Sequence, residues 1–98
     1  MAKGKGKVDR DLNRRFAEFH LANPQVYTEL VALAREASRR GRKRIGIKMI
    51  YEVVRWNRFI QTTDDSFKLN NDYHSRYARL IMQREVDLAG IFETRSLL

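Results

Sequence analysis

The chain is divided near its middle by a basic stretch, Ser38-Arg39-Arg40-Gly41-Arg42-Lys43-Arg44-Ile45-Gly46-Ile47-Lys48. Six cations surround two glycines and two isoleucines, and a segment with helical periodicity lies on each side. Clustered cations release condensed counterions from neighbouring phosphates, and this entropy gain favours binding to polyanions. The stretch therefore separates two predicted helices, and its charge indicates nucleic acid as the class of partner.

Composition narrows the class of protein further. The chain has 98 residues, 43% of them hydrophobic, and a net charge of +8, which suits one small domain with a single core. It contains no cysteine, which excludes disulfides, a thiolate nucleophile and cysteine-based zinc sites. No apolar run approaches the roughly 20 residues of a membrane-spanning helix, and the N-terminus lacks the apolar core of a signal peptide. We expect a cytoplasmic protein without a membrane partner.

The N-terminal residues differ from the rest of the chain. Glycine and lysine alternate over residues 3–7, where nothing apolar is available to pack. We therefore expect residues 1–8 to form a flexible basic arm and residues 9–98 to form the single domain.

Two helices are predicted before the basic stretch. Leu12, Phe16 and Phe19 recur at helical spacing, which predicts a helix over about residues 9–21. Asn23-Pro24 then has the pattern of an N-cap followed by proline at the first helical position. Gly41 should end this second helix, because glycine readily adopts the left-handed C-cap conformation. Its apolar face comprises Val26, Leu30, Leu33, Ala34 and Ala37.

A central helix is predicted over residues 47–61. One broad apolar face contains Met49, Ile50, Val53, Trp56 and Ile60, and so wide a face is typical of a helix that packs against neighbours on two sides. Tyr51 lies toward the charged side, where it could contact a partner. Residues 42–46 themselves are compatible with a bare loop or a brief edge strand.

A fourth helix is predicted after turn-forming residues from Gln61 to Ser66. Asn70 or Asn71 can cap it, and it should reach about Arg84. Its apolar edge consists of Tyr73, Tyr77, Leu80 and Ile81. The tail, residues 86–98, is compatible with a short β-hairpin or a docked terminal turn.

This order of elements predicts a mainly α, four-helix single domain of helix-turn-helix or winged-helix type, in which a short C-terminal β-hairpin would be a rudimentary wing. In helix-turn-helix modules one helix braces across the DNA backbone and the next enters the major groove. The brace would be residues 47–61 and the reading helix residues 70–84. The intervening loop is longer than a compact helix-turn-helix turn.

Candidate contacts to double-stranded DNA fall into two groups. Arginine and asparagine match guanine and adenine edges, and serine accepts either. Groove contacts are therefore assigned to Asn71, Ser75, Arg76 and Arg79. Phosphate anchoring is assigned to Arg39, Arg40, Arg42, Lys43, Arg44 and Lys48.

Three other interpretations of the charge stay open. The same cations could bind RNA together with exposed aromatic side chains, or they could target an acidic host protein. They could also form only a solvated surface. Two copies on a two-fold DNA site would suit so small a domain, but no exposed apolar stripe can be assigned as a dimer face.

The pattern does not favour an enzyme. His20 and His74 each lack a second ligand at helical or hairpin spacing, and the carboxylates of Asp64-Asp65 diverge as neighbours in sequence. No Ser-His-Asp grouping, phosphate-cradling glycine loop or zinc-protease pattern is present. We therefore predict no catalytic residues, no metal and no cofactor.

Several stretches together resemble small, mostly uncharacterised basic proteins of bacteriophages and prophages. They are Phe16-x-x-Phe19-His20 with Asn23-Pro24, Tyr51-Glu52-Val53-Val54-Arg55-Trp56, Phe67-Lys68-Leu69-Asn70-Asn71, Tyr77-Ala78-Arg79-Leu80 and Phe92-Glu93-Thr94-Arg95. The resemblance covers most of residues 16–95 and leaves out the basic arm. It implies a phage or mobile-element origin and no settled activity. Together with the DNA-binding interpretation, we expect a phage-encoded transcriptional regulator or architectural factor, associated with the nucleoid in the host cytoplasm.

Overall fold

The computed structural model describes residues 2–61 and 69–93, and only the backbone of residues 2–9. In this part of the chain four helices follow one another: α1 (Ala2–Ala22), α2 (Pro24–Arg39), α3 (Ile47–Gln61) and α4 (His74–Arg84). Short 3₁₀ turns occupy Asn71–Tyr73 and Val86–Leu88. The prediction of a mainly α, four-helix single domain is confirmed. No helix in the described ranges is long and apolar enough to cross a lipid bilayer.

Helix α1 begins earlier than the sequence pattern predicts. It starts at Ala2 and not near residue 9, so residues 2–8, assigned above to a basic arm, continue the helical backbone. Extending an existing helix adds one hydrogen bond per residue without a new nucleation step, which offsets the low helical propensity of Gly4 and Gly6. The mobility of this segment stays a prediction.

Both ends of α2 follow the predicted signals. Asn23 is the N-cap and Pro24 the first helical residue, although the Asn23 side chain donates its hydrogen bond backward to the Phe19 carbonyl (3.1 Å). At the other end Gly41 has φ of +94°. The Gly41 amide bonds the Ser38 carbonyl (3.0 Å) and the Arg42 amide bonds the Ala37 carbonyl (3.0 Å), which is the Schellman pattern of helix termination.

The core is formed where α2, α3 and α4 meet. Its fully buried side chains include Val26 and Leu30 from α2, Tyr51 from α3 and Tyr77 from α4. α1 covers one side, where the Phe16 ring meets Tyr77 edge-on with centroids 4.8 Å apart. Seventeen apolar residues make up this cluster, and within the described ranges no polar or charged residue is fully buried.

The predicted orientation of α3 is wrong. The residues that α3 buries are Ile47, Ile50, Tyr51 and Val54, a narrow stripe at spacings of three and four. Of the five residues assigned above to its buried face, only Ile50 is buried; the other four, Met49, Val53, Trp56 and Ile60, are exposed. Tyr51 is fully buried and donates a hydrogen bond to the Asn70 carbonyl (2.7 Å), so it is not available to a partner.

The tail up to Glu93 contains no β-hairpin. After the Val86–Leu88 turn the chain reverses at Gly90 (φ +80°), and Ile91 and Phe92 enter the core. Phe92 forms an isolated parallel β-bridge with Ile45, and within the described ranges no longer strand is present. A hairpin pairs neighbouring strands antiparallel, whereas this tail pairs with a distant loop. Two parts of the sequence prediction lie outside the described residues. One is the turn after Gln61, including Asp64-Asp65, and the other is the last five residues of the tail.

Candidate nucleic-acid interface

The predicted anchoring cations lie on and beside one loop, residues 40–46, which we call the basic loop. Its start is fixed by the Schellman termination of α2 at Gly41. Its end is fixed by the bridge to the tail: the Ile45 amide bonds the Ile91 carbonyl (2.9 Å), and the Glu93 amide bonds the Ile45 carbonyl (3.2 Å). The Ile45 side chain is buried. The backbone between Gly41 and Ile45 is therefore held at both ends.

Two of the six anchoring candidates are already paired. Arg39 and Arg40 each donate a hydrogen bond to the carboxylate of Glu36, one turn earlier on α2. Hydrogen bonds from Arg40 and Arg39 hold the pKa of the Glu36 carboxyl below its ordinary value. Both arginines stay exposed, but a phosphate would have to compete with Glu36 for them.

The other four candidates are exposed, and none is in an ion pair with any described residue: Arg42, Lys43, Arg44 and Lys48. Three lie consecutively on the basic loop, and Lys48 lies in the first turn of α3. That first turn has no acidic residue, so its positive end adds to the cationic field. We call these four residues the unpaired cluster.

The carboxylates of Glu85 and Asp87, which follow α4, are bound by side chains of α2. Arg35 on α2 donates to both oxygens of Asp87 (2.8 and 3.0 Å) and to Glu85 (2.7 Å). Glu85 also accepts a hydrogen bond from the Tyr27 hydroxyl (2.7 Å). These contacts attach the Val86–Leu88 turn to α2. The two ion pairs of Arg35 also balance part of the negative charge of Glu85 and Asp87.

An open groove lies between the basic loop and the chain that follows α4. Its volume is about 290 Å³, and its walls include Arg42, Lys43, Asp87 and Ile91. Asp87 on one wall opposes an anion inside the groove. The cations are thus better placed to meet an extended polyanion across the loop than to enclose a small anion.

The end of the unpaired cluster lies near the start of the candidate reading helix. Burial, followed by the charge of Lys48, lowers the pKa of His74, the first residue of α4. The Tyr51 and His74 rings pack edge-on at 6.0 Å between centroids. Lys48 therefore lies between the basic loop and the N-terminal end of α4, close enough for its charge to act on His74.

The four groove candidates differ in exposure and in the hydrogen bonds that their side chains already make. Asn71 lies exposed in the 3₁₀ turn before α4, but its side-chain oxygen accepts a hydrogen bond from Arg55. Arg76 donates to Asn13 on α1 (2.6 Å), and Ser75 is half-buried. Arg79 is exposed and forms no ion pair with any residue in the described part of the chain. The turn that carries Asn71 is stabilised by the Asn70 side chain, which accepts from the Asp72 amide (2.8 Å).

The two histidines lie in different surroundings. His20 stacks on Phe16 with centroids 6.1 Å apart, and burial followed by the charge of Arg84 lowers its pKa. His74 lies at the start of α4, as described above. Within residues 10–61 and 69–93 no three metal-ligating side chains come together. The absence of catalysis, metal and cofactor stays a prediction.

An exposed apolar stripe on α3 was missed in the sequence. It contains Met49, Val53, Trp56 and Ile60, flanked by Phe59, whose ring packs against Trp56 with centroids 5.8 Å apart. The sequence of α3 contains two apolar stripes that interleave along the helix, and only one of them can face the core. The structure therefore shows an exposed apolar stripe where none was assigned from the sequence.

Comparison of the chain with protein-family models, with curated proteins and with solved structures gave no match.

Proposed function

We propose that the protein binds double-stranded DNA by anchoring on its phosphates through the basic loop. The observation that carries the proposal is the unpaired cluster: three exposed cations on a loop backbone held at both ends, and a fourth, Lys48, in the first turn of α3. Pre-positioned cations lose less conformational entropy on binding than cations on a free tail. Each phosphate that they neutralise releases counterions, which makes the affinity strongly dependent on salt.

Within this proposal the domain acts as a helix-turn-helix-like or winged-helix-like unit. α3 would approach the backbone at its N-terminal end, and α4 would present its exposed side to the major groove. Arg79 is the strongest reading candidate because it is exposed, whereas Arg76 and Asn71 would have to exchange intramolecular hydrogen bonds for base contacts. Whether the protein regulates transcription or acts as an architectural factor stays a prediction.

The test is a salt titration of binding to duplex DNA, duplex RNA and single-stranded RNA. We expect duplex DNA to bind most tightly, with log K falling linearly as log salt rises. Replacing Arg42, Lys43 and Arg44 with alanine should weaken binding and reduce the slope by about one per lost phosphate contact. Preference for either RNA would favour the RNA-binding alternative, and no salt-dependent binding to any of them would favour an acidic protein partner.

The matched control removes the same charge from another surface. Arg10, Arg14 and Arg15 on α1 are exposed, and Arg14 and Arg15 pair with Asp11. The α1 triple variant should lose less affinity and less salt slope than the loop variant. Equal losses in both would show that net charge, and not the basic loop, determines binding.

A further inference from the structure

The exposed stripe on α3 is too apolar and too continuous to be an ordinary surface. Its members are between 39% and 60% exposed, and they include the single tryptophan of the chain. Together with Phe59 they present on the order of 500 Å² of apolar surface, near the upper end of what a monomeric protein exposes in one patch. Such a patch marks an interaction site.

The sequence intervals between members of the stripe are the same whether they are counted from the N-terminal or from the C-terminal end of α3. Met49, Val53, Trp56 and Ile60 are separated by four, three and four positions. When a second α3 is laid antiparallel across the first, Met49 meets Ile60 of the second copy and Val53 meets Trp56. This pairing is isologous, with each contact made twice about a two-fold axis.

The area is sufficient for such a pairing. Two stripes would remove about 1,000 Å² from water, which is the lower bound for a specific interface, before any flanking polar residue is counted. Spacings of three and four also match the ridges and grooves of packed helices.

Charge favours the antiparallel arrangement over the parallel one. In a parallel pair the two Lys48 side chains, both near the N-terminal end of the stripe, would face each other. In the antiparallel pair they lie about 20 Å apart along the axis, and Lys48 faces the uncharged Gln61 of the second copy. Antiparallel helices also align their dipoles favourably.

We propose that α3 is the homodimer interface, in which the exposed stripe pairs with the same stripe of a second copy in antiparallel orientation. The two basic loops then lie at opposite ends of the paired helices. This inference rests on the apolar stripe and does not depend on DNA binding.

The first experiment measures the mass of the DNA-free protein by sedimentation equilibrium over about three decades of concentration. We expect a mass of twice 11.6 kDa at the upper end. The double variant V53E/W56E should have the mass of one chain under the same conditions, with unchanged helical circular dichroism because both positions are exposed. V86E, an equally apolar exposed position outside α3, should leave the dimer intact.

The second experiment tests the orientation and uses the absence of native cysteine. A mixture of M49C chains and I60C chains should form a disulfide between the two, whereas M49C alone should not, because its copies lie about 16 Å apart along the axis. A single-chain mass at every concentration, or a dimer that survives V53E/W56E, would overturn the interface. Efficient self-linking of M49C would overturn the antiparallel register.

Discussion

Arg35 and Asp87, which are 52 positions apart in the sequence, form a bidentate ion pair. The guanidinium donates to both carboxylate oxygens, at 2.8 and 3.0 Å. The pair attaches the turn after α4 to α2. It also keeps a carboxylate that lines the groove from pairing with the unpaired cluster. Arg35 thus stabilises the fold and also reduces the negative charge beside the candidate interface.

Breaking this pair should loosen the attachment of the Val86–Leu88 turn to α2. R35A leaves Asp87 and Glu85 uncompensated beside the groove, so we expect a lower Tm and weaker DNA binding. R35K should recover only part of both, because lysine cannot make the two parallel hydrogen bonds. Thermal melts and binding titrations of the two variants provide the measurement. Equal binding by R35A and the wild type would show that these carboxylates do not affect the cluster.

Removing the competitor of Arg39 and Arg40 should strengthen binding. E36Q abolishes the carboxylate that both arginines contact. We expect higher affinity for duplex DNA and a salt slope steeper by up to about two, one for each released arginine. E18Q, at an exposed position on α1, changes the net charge equally and should have the smaller effect. A larger gain for E18Q would contradict the assignment of Arg39 and Arg40 to phosphate anchoring.

Glycine is required at position 41 and not at position 46. Gly41 has φ of +94°, so G41A places a side chain in the left-handed region and should cost about 1 kcal/mol of unfolding free energy. Neither glycine has an atom within 4 Å of an added Cβ, so crowding is not a factor. G46A should change stability by less than about 0.5 kcal/mol. Denaturant titrations compare the two, and a similar loss in both would rule out the backbone explanation.

The two buried tyrosine hydroxyls should respond differently to removal. Tyr51 donates to the Asn70 carbonyl at 2.7 Å, so Y51F should cost about 1 kcal/mol. The Tyr77 hydroxyl is buried with no hydrogen-bond partner among the described residues, so Y77F should be neutral or stabilising. Denaturant unfolding of both variants measures the difference. A large loss in Y77F would reveal a partner for that hydroxyl.

Stability should decrease as pH falls below neutrality. Burial lowers the pKa of His20 and His74 below the ordinary value of 6.5, so the unfolded chain binds protons that the folded chain does not. The two histidines therefore contribute full stability above about pH 6.5, and the contribution is lost as pH falls through their folded pKa. Urea titrations from pH 7.5 to pH 4.5 check this. The double variant H20Q/H74Q should show a flatter profile, and an unchanged profile would remove both histidines as the cause.

Features that depend on neighbouring residues could be predicted from the sequence. Asn23-Pro24 and Gly41 act within one helical turn, so the boundaries of α2 follow from local chemistry. The position of the cations follows too, because charged side chains between two helices have to remain in solvent.

Features that depend on distant residues could not be predicted. α3 has two apolar stripes, and packing against α2 and α4 decides that Ile47, Ile50 and Val54 face inward while Trp56 does not. The contact between Arg76 and Asn13 joins residues 63 positions apart, beyond any periodic pattern. Whether Arg76 is free to contact DNA therefore depends on the placement of α1.

The bridge between Ile45 and Phe92 also affects the order in which the domain folds. Its partners are far apart in the chain, so closing it carries a larger entropic cost than forming the helices, which rely on local contacts. We expect α1, α2 and α3 to form first and the basic loop to be fixed only when Ile91 and Phe92 dock. A growing chain would then expose its arginines and lysines during synthesis without presenting them as an organised surface, and nucleic acid near the ribosome would meet that surface only after folding is complete.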